Sequence, residues 1–272
     1  MINPEEAKQI ILKSTEMLES VELNLIESTN RIASENILTK LDLPIWNNSS
    51  MDGFAFILPE NFDINDESIN KFIISGNLFP GDEYLPIVNK GEAIKIMTGA
   101  PIPPKANCVV PIENAKIIKN DDSEFVIFTK QPRISDYIRL KGSDFKKGEN
   151  IITVGQKIRP YDIAKLAANG INKIKVFPQP KISIIASGNE LINPGETLSG
   201  SSIYDSNSYS IASMIREAGG IPDIIGIAKD EISSIESNLR NAIDSDAIIC
   251  SAGVSVGDKD FIKEVVSEQG KI

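Results

Sequence analysis

Residues 247–260 read Ala-Ile-Ile-Cys-Ser-Ala-Gly-Val-Ser-Val-Gly-Asp-Lys-Asp, and this stretch decides the fold of the second half of the chain. The apolar run 247–250 has the length and composition of a buried strand. Small residues at 251–257 then predict a turn, and the amphipathic stretch 258–268 has the spacing of a helix. The order of strand, glycine-rich turn and helix predicts one repeat of an α/β fold.

The glycine-rich turn is also a candidate anion site. Small residues allow the backbone to approach a ligand, and the start of a helix offers unpaired N–H groups and a positive dipole end. Asp258 and Asp260 follow, where a cation bound to a phosphate would need oxygen ligands. The Gly-x-Ser-x-Gly spacing is not a hydrolase nucleophile elbow, because that mechanism requires a histidine and the sequence contains none.

The composition limits the possible functions. The 272 residues are 41% apolar and 24% charged, as in an ordinary globular protein with room for more than one domain. A net charge of −10 argues against a nucleic-acid partner. Cys108 and Cys250 lie in apolar runs, which is typical of reduced core residues in a cytoplasmic protein. No apolar run approaches the length of a membrane span, so we expect no membrane partner.

The absence of histidine excludes Ser-His-Asp and Cys-His catalysis and histidine-ligated metals. Two cysteines are also too few for a structural zinc site. The remaining chemistry belongs to carboxylates, hydroxyls, lysines and the backbone. Those groups favour Mg²⁺ and ligands that carry phosphate.

The pattern from residue 179 onward alternates between strands and helices, which predicts a parallel sheet with ligands beyond the carboxyl ends of its strands. Ser187, Gly188, Glu190 and Asp230 all fall at such ends. The predicted strands are Lys181–Ala186, Pro222–Ile227 and Asp246–Ser251, and the predicted helices are Asn207–Ala218, Asp230–Ile243 and Asp258–Glu268.

The first half divides differently. Asn3 and Pro4 predict the start of a first helix. A second short helix is predicted at Thr29–Leu38, and a third at Tyr161–Asn169. Between them, short β-prone runs separated by Gly, Pro, Asn and Asp predict a small β domain. We therefore predict an α+β region at 1–44 and 130–178, an inserted β domain at 45–129, and an α/β domain at 179–272.

Several candidate residues also have a purely structural explanation. Asp52 with Gly53 is explained by a turn, Thr98 by the end of a strand, and Glu190 by a solvated loop. Asp230 is explained as the N-cap of the following helix. Three carboxylates at the same end of the sheet are more suggestive than any one of them.

Taken together, the motifs resemble the molybdopterin molybdotransferase family, of the MoeA type, which includes the C-terminal part of gephyrin. The resemblance runs through nearly all of the chain in the order of the family. Its motifs are Asn48-Ser49-Ser50-Met51-Asp52-Gly53-Phe54-Ala55, Ile96-Met97-Thr98-Gly99-Ala100-Pro101, Arg139 with Gly142 and Asp144, Ser187-Gly188-Asn189-Glu190-Leu191, Asp205-Ser206-Asn207, and Gly253-Val254-Ser255-Val256-Gly257-Asp258-Lys259-Asp260.

This resemblance implies insertion of molybdate into adenylylated molybdopterin, with release of AMP and assistance from Mg²⁺. It implies a homodimer whose active sites lie between the α/β domain of one subunit and the β domain of the other. Asp52 and Thr98 would enter the cleft from the second subunit. On the α/β side, the resemblance places the catalytic carboxylates Glu190, Asp230 and Asp260, with Asp260 on the metal, and the substrate-binding residues Ser187, Gly188, Gly253, Ser255 and Gly257.

Family members continue into a Lys-Pro-Gly-Lys-Pro segment and a final β-barrel domain that carries basic residues for molybdate. We expect this chain to be truncated before that domain, with a partial α/β domain. One alternative is a truncated, non-catalytic molybdopterin-binding or scaffold protein of the same family. A second alternative, from the pattern alone, is a generic Mg²⁺-dependent phosphohydrolase.

Overall fold

The structure, a computed structural model, describes residues 2–120, 123–251 and Val265. Contacts among the Cα atoms divide the chain into two compact units. Unit 1 contains the described residues of 1–35, 154–160 and 173–272, and unit 2 contains those of 36–153 and 161–172. The division into three domains at the boundaries given above stays a prediction.

The helices and strands are numbered in chain order. They are α1 (Pro4–Ser14), β1 (Val21–Asn24), β2 (Ile32–Ala33), β3 (Ile37–Leu38), β4 (Asn48–Ser49), β5 (Gly53–Phe56), β6 (Phe72–Leu78), β7 (Glu92–Ile96), β8 (Cys108–Pro111), β9 (Ala115–Asn120), β10 (Ser123–Phe128), β11 (Ile138–Arg139), β12 (Asn150–Ile152), α2 (Pro160–Ala168), β13 (Lys173–Phe177), β14 (Lys181–Ser187), β15 (Leu191–Ile192), β16 (Ile203–Tyr204), α3 (Asn207–Ala218), β17 (Ile221–Ala228), α4 (Ile232–Asn241) and β18 (Ala247–Cys250).

Helix α1 begins as the sequence predicts. Pro4 occupies its first turn, and the Asn3 side chain accepts the backbone N–H of Glu6 at 2.8 Å. This contact satisfies one of the N–H groups that the start of a helix leaves unpaired. None of the residues of α1 is buried. The helix therefore presents apolar side chains to solvent, including Ile10, Ile11 and Leu12.

The predicted helix at Thr29–Leu38 is wrong, because these residues form β2 and β3. Asn30 has a φ of 66°, which a right-handed helix does not allow. Its N–H donates to the carbonyl of Ile158, and the N–H of Ala33 donates to the carbonyl of Gln156. Distant backbone groups thus pair with the groups that a helix would satisfy internally.

The sheet of unit 2 confirms the predicted β-rich region. Its strand order is β8-β5-β7-β6-β10-β9, with β5 antiparallel to both of its neighbours and β6 parallel to β7. Every residue of β5 is buried. An aromatic cluster with ring centroids 4.6–6.5 Å apart fills one face and consists of Phe56, Phe62, Phe72 and Phe128. This core holds the ends of β5 and β7 in a fixed position.

Unit 1 contains the predicted parallel sheet, with the order β17-β14-β18. Ile184 packs against Ala212 and Ile215 of α3 on one face. Ile185 and Ala228 pack against Ile235 of α4 on the other face. Both faces of β14 are therefore covered, as expected for a parallel strand. The carboxyl ends of the strands meet at one edge, which lies after Ser187, Ala228 and Cys250.

Within the ranges that the structure describes, no helix combines the length and apolar character needed to cross a membrane. The predicted helix at Asp258–Glu268 lies outside the described residues except for Val265, which is helical and packs with the α4 side of the sheet.

Candidate functional site

The candidate site in unit 1 lies at the carboxyl ends of the parallel strands, and its first residues follow β14. Ser187 is buried, Gly188 follows with a φ of 155°, and Glu190 is exposed in the next turn. A Cβ atom at Gly188 would come within 2.9 Å of both carboxylate oxygens of Glu190. Glycine therefore lets the Glu190 carboxylate lie directly over the backbone at the end of the strand.

Asp230 lies at the end of the neighbouring strand, β17. Its Oδ1 accepts a hydrogen bond from the Ser187 hydroxyl at 3.1 Å. Asp230 is not the N-cap of α4, so that structural explanation is wrong. The helix begins at Ile232, its cap residue is Glu231, and no side chain forms the cap hydrogen bond. The Asp230 carboxylate instead faces the end of β14, where it accepts the hydrogen bond from Ser187.

Asn189 joins the two strand ends and was missed as a candidate. The backbone N–H of Asp230 donates to Asn189 Oδ1 at 3.3 Å. The backbone N–H of Gly188 donates to the carbonyl of Ala228 at 3.2 Å. These contacts, together with the bond from Ser187 to Asp230, fix one loop against the other. The signal in the sequence was an amide side chain in the loop after β14, between two candidate residues.

The chain after Glu190 leads to the start of α3. The carbonyl of Glu190 accepts the N–H of Ile203 at 2.8 Å, within the parallel pairing of β15 and β16. Asp205 follows and is only 3% exposed. Its Oδ1 accepts the N–H of Ser208 at 3.0 Å, in the first turn of α3. The Asp205-Ser206-Asn207 motif thus has a structural role in starting this helix.

Asp52 and Thr98 lie together in unit 2, next to the paired strands β5 and β7. Asp52 Oδ1 accepts both the backbone N–H and the hydroxyl of Thr98, each at 2.7 Å. The backbone hydrogen bond, and then the hydroxyl, hold the pKa of Asp52 below its ordinary value. Both residues are exposed, and Oδ2 of Asp52 accepts no hydrogen bond from any described residue. A charged acceptor is therefore available to a ligand.

The start of β5 fixes the position of Asp52. A Cβ atom at Gly53 would lie 2.1 Å from the carbonyl oxygen of Val110. The carbonyl of Asp52 accepts the N–H of Ile112 at 2.9 Å. The close approach of β5 and β8 therefore depends on glycine next to the candidate aspartate.

The Arg139 motif forms a separate polar loop in unit 2. The Arg139 guanidinium donates to the carboxylate of Asp144, and Lys141 lies 3.4 Å from a carboxylate oxygen of Asp42. Gly142 follows Lys141 and has a φ of 69°, so the chain turns there before it reaches Asp144. Both cations are paired with carboxylates of the same loop region, and the Arg139 side chain is half exposed.

The remaining candidates, Gly253, Ser255, Gly257 and Asp260, lie outside the described residues. Among the residues that the structure does describe, no group of three or more Asp, Glu, Cys or His side chains is arranged to hold a metal ion. The structure brings Ser187, Gly188, Glu190 and Asp230 together in unit 1. It brings Asp52 and Thr98 together in unit 2.

Two family models account for most of the sequence. The MoeA N-terminal region (domain I and II) matches residues 2–170, and the probable molybdopterin binding domain matches residues 183–271. The chain belongs to the MoeA family. This confirms the resemblance seen in the motifs and the MoeA-like combination of N-terminal domains with a molybdopterin-binding type of α/β domain.

Relatives in the MoeA family cover nearly the whole chain. A putative molybdopterin biosynthesis protein of Methanocaldococcus jannaschii is 34% identical over an alignment of 261 residues, which covers 92% of this chain and 62% of the relative. A molybdopterin molybdenumtransferase of Haemophilus influenzae is 31% identical over 92% of this chain and 60% of the relative. The chain thus spans about three fifths of the length of these curated relatives.

Solved structures show the same similarity. A molybdopterin biosynthesis MoeA protein of Pyrococcus horikoshii superimposes with a TM-score of 0.80 at 28% identity, over 98% of this chain and 67% of that protein. A structure of a molybdopterin biosynthesis MoeA protein of Pyrococcus horikoshii OT3 gives a TM-score of 0.79 at 29% identity, over 92% of this chain and 66% of that chain.

Proposed function

We propose that the chain acts in molybdenum cofactor biosynthesis as a molybdopterin molybdotransferase. The substrates would be adenylylated molybdopterin and molybdate, and the products would be the metal-loaded pterin and AMP. Support comes from relatives that are named molybdopterin molybdenumtransferase. The single observation that carries the proposal is the hydrogen-bonded pair of Ser187 and Asp230 beside Glu190, at the ligand-binding edge of a parallel sheet.

The donor set at this edge suits Mg²⁺. Asp230 and Glu190 supply carboxylate oxygens, and Mg²⁺ is usually held by one or two carboxylates together with substrate phosphates. Asp260, the residue that the family resemblance assigns to the metal, lies outside the described residues. When bound, Mg²⁺ would neutralise charge on the phosphate oxygens. The Ser187 hydroxyl orients the Asp230 carboxylate, and Gly188 lets the Glu190 carboxylate lie over the end of β14.

We further propose that the protein is a homodimer in which Asp52 and Thr98 of one subunit complete the site of the other. The free Oδ2 of Asp52 supports a ligand-facing role. Helix α1 supports an interface with another chain. It buries none of its residues, and Ile10, Ile11 and Leu12 are 52%, 61% and 57% exposed. Contiguous exposed apolar side chains mark interaction surfaces. The proposed location is the cytoplasm.

The role of the sheet edge is tested with Asp230→Asn, which keeps the shape of the side chain and removes its charge. We expect AMP release from adenylylated molybdopterin to fall at least about a hundredfold, because a carboxylate ligand and its charge are lost. The matched control is Asp223→Asn on the same strand. Asp223 lies at the opposite end of β17, where it pairs with Lys181 at 2.9 Å.

Equal loss of AMP release in Asp223→Asn and Asp230→Asn would contradict the assignment of the site to the carboxyl ends of the strands. Tight binding of adenylylated molybdopterin without AMP release by the unmodified chain would favour the alternative of a non-catalytic member of the family.

The shared site is tested by mixing inactive variants. Asp52→Ala and Asp230→Asn are purified separately, combined under conditions of subunit exchange, and assayed for AMP release. Mixed dimers carry one intact site each, so activity should partly return. Absence of recovery after exchange has been demonstrated by mass spectrometry would refute the sharing of sites between subunits.

A further inference from the structure

A polar cavity in unit 2 lies outside the residues that the proposed function uses. Its volume is about 300 Å³, which is at the lower end of the range for small-molecule sites. The segment 130–137 forms one wall, and β8 with the residues that follow it forms the other. The side chains that decide its chemistry belong to Asn114, Lys130, Arg133, Asp136 and Tyr137.

The segment 130–137 is held in place by hydrogen bonds to its surroundings. The N–H of Ser135 donates to the carbonyl of Asn107 at 2.8 Å, and the N–H of Val109 donates to the carbonyl of Asp136 at 3.1 Å. The carbonyl of Tyr137 accepts both the N–H and the hydroxyl of Ser50. The wall is therefore formed in advance of any ligand.

Two residues of this segment adopt costly backbone conformations. Ser135 and Tyr137 have φ values of 68° and 54°, in the left-handed region that non-glycine residues seldom occupy. Such conformations are energetically costly and are concentrated at ligand sites. The surrounding hydrogen bonds maintain the conformation that gives the cavity its shape.

The charges around the cavity favour an anion. Lys130 and Arg133 are both exposed, and neither forms an ion pair with any residue that the structure describes. Asp136 is the opposing charge, but its Oδ2 already accepts the backbone N–H of Arg133 at 2.8 Å. The whole chain has a net charge of −10, but this cavity is lined by two cations and by one carboxylate that already accepts a hydrogen bond. Its local charge is therefore opposite in sign to that of the whole chain.

We propose that this cavity binds a small tetrahedral oxyanion of the class of phosphate, sulfate and molybdate. Arg133 supplies a planar fork of donors and Lys130 a second cation. The side chains of Asn114 and Tyr137 form no hydrogen bond with described residues, so they supply neutral donors. The choice of molybdate within this class rests on the proposed function, whereas the binding of an oxyanion does not.

The test is equilibrium dialysis of the full chain against molybdate, with bound molybdenum measured by mass spectrometry, and in parallel against inorganic phosphate labelled with ³²P. Arg133→Gln and Lys130→Gln should each weaken binding at this site by roughly tenfold or more, since a charge-assisted hydrogen bond is lost. Lys90→Gln and Lys116→Gln are matched controls, because both lysines are exposed in unit 2 and neither lines the cavity.

Asp136→Asn gives a readout that misfolding does not produce. The asparagine oxygen still accepts the N–H of Arg133, but the negative charge is gone, so the anion should bind more tightly by several-fold. Preferential retention of molybdate over phosphate would identify the anion as the substrate of the proposed reaction. Equal retention would identify a general phosphate or oxyanion site.

The inference is overturned if Arg133→Gln and Lys130→Gln bind both ions as well as the control variants do, or if Asp136→Asn binds them no more tightly. Displacement of either ion by an equal concentration of chloride would also overturn it. Failure of the proposed function is distinguishable, because Asp230→Asn should lose AMP release while oxyanion binding at this cavity stays unchanged.

Discussion

The substitution Gly53→Ala tests how β5 and β8 position the candidate aspartate. The added Cβ would lie 2.1 Å from the carbonyl oxygen of Val110, 2.8 Å from its carbonyl carbon and 2.9 Å from Cα of Pro111. All of these atoms belong to the backbone, so no side-chain rotation relieves the overlap. Overpacking of a tight core costs roughly 1–3 kcal/mol, and we expect about 3 kcal/mol because a strand must move.

The matched control is Gly76→Ala in β6 of the same sheet. There, the nearest atom to the added Cβ is Cδ1 of Ile94 at 3.5 Å, which is an ordinary contact. We expect this variant to change the free energy of unfolding by less than about 1 kcal/mol. Trp46 is the single tryptophan of the sequence and belongs to unit 2, so its emission reports urea unfolding of that unit.

With a urea dependence of roughly 1–3 kcal/mol/M, the unfolding midpoint of Gly53→Ala should fall by about 1–3 M. The Asp52–Thr98 contact should also weaken, because Asp52 precedes the displaced residue. Equal midpoints for Gly53→Ala and Gly76→Ala would refute the reasoning from the close approach of β5 to β8.

Other predictions follow from single contacts. Hydrogen bonds from Thr98 lower the pKa of Asp52, so the ionised carboxylate stabilises unit 2 at pH values above its ordinary pKa of 3.8. This contribution is lost as the pH falls through the lower pKa of the folded state. The thermal midpoint of Asp52→Asn should therefore fall less on acidification than that of the unmodified chain. Gly188→Ala should displace the Glu190 carboxylate and reduce AMP release. The unfolding midpoint of unit 2, which Trp46 emission reports, should stay unchanged. Burial, and then the charge of Asp136, raise the pKa of the Cys108 thiol to about 12, so iodoacetamide at pH 8 should label Cys108 only as the protein unfolds, as read by peptide mass spectrometry.

Each of these predictions has a distinct contradicting result. An acid titration of Asp52→Asn identical to that of the unmodified chain would show that Thr98 contributes nothing to acid stability. Undiminished AMP release in Gly188→Ala would remove Glu190 from the site. Labelling of Cys108 at the rate of a free thiol, with the protein still folded, would contradict its burial.

The sequence predicted the α/β part of the fold well because the local signals there agree with the tertiary structure. Strands β14, β17 and β18 are short apolar runs, and a parallel strand that is covered on both faces, as β14 is, needs that composition. The glycine at the end of α3 has a φ of 94°, which gives the helix an unambiguous end. In these segments, each residue pattern and the long-range packing favour the same conformation.

Prediction failed where partners are distant along the chain. The segment 29–38 carries no local sign that residues near 157 will pair with it. Asp230 is a favourable N-cap by local chemistry, but its carboxylate accepts a hydrogen bond from Ser187, 43 residues earlier. The contact of Asp52 with Thr98 spans 46 residues. The motifs identified these residues as candidates, and only the fold gives their hydrogen-bond partners.

The most direct test of the account is one assay on the purified, unmodified chain. It is incubated with adenylylated molybdopterin, Mg²⁺ and molybdate, and both AMP and pterin-bound molybdenum are measured over time. We predict that AMP appears together with an equal amount of pterin-bound molybdenum. Stable binding of adenylylated molybdopterin with neither product would contradict the proposed transferase activity of this chain.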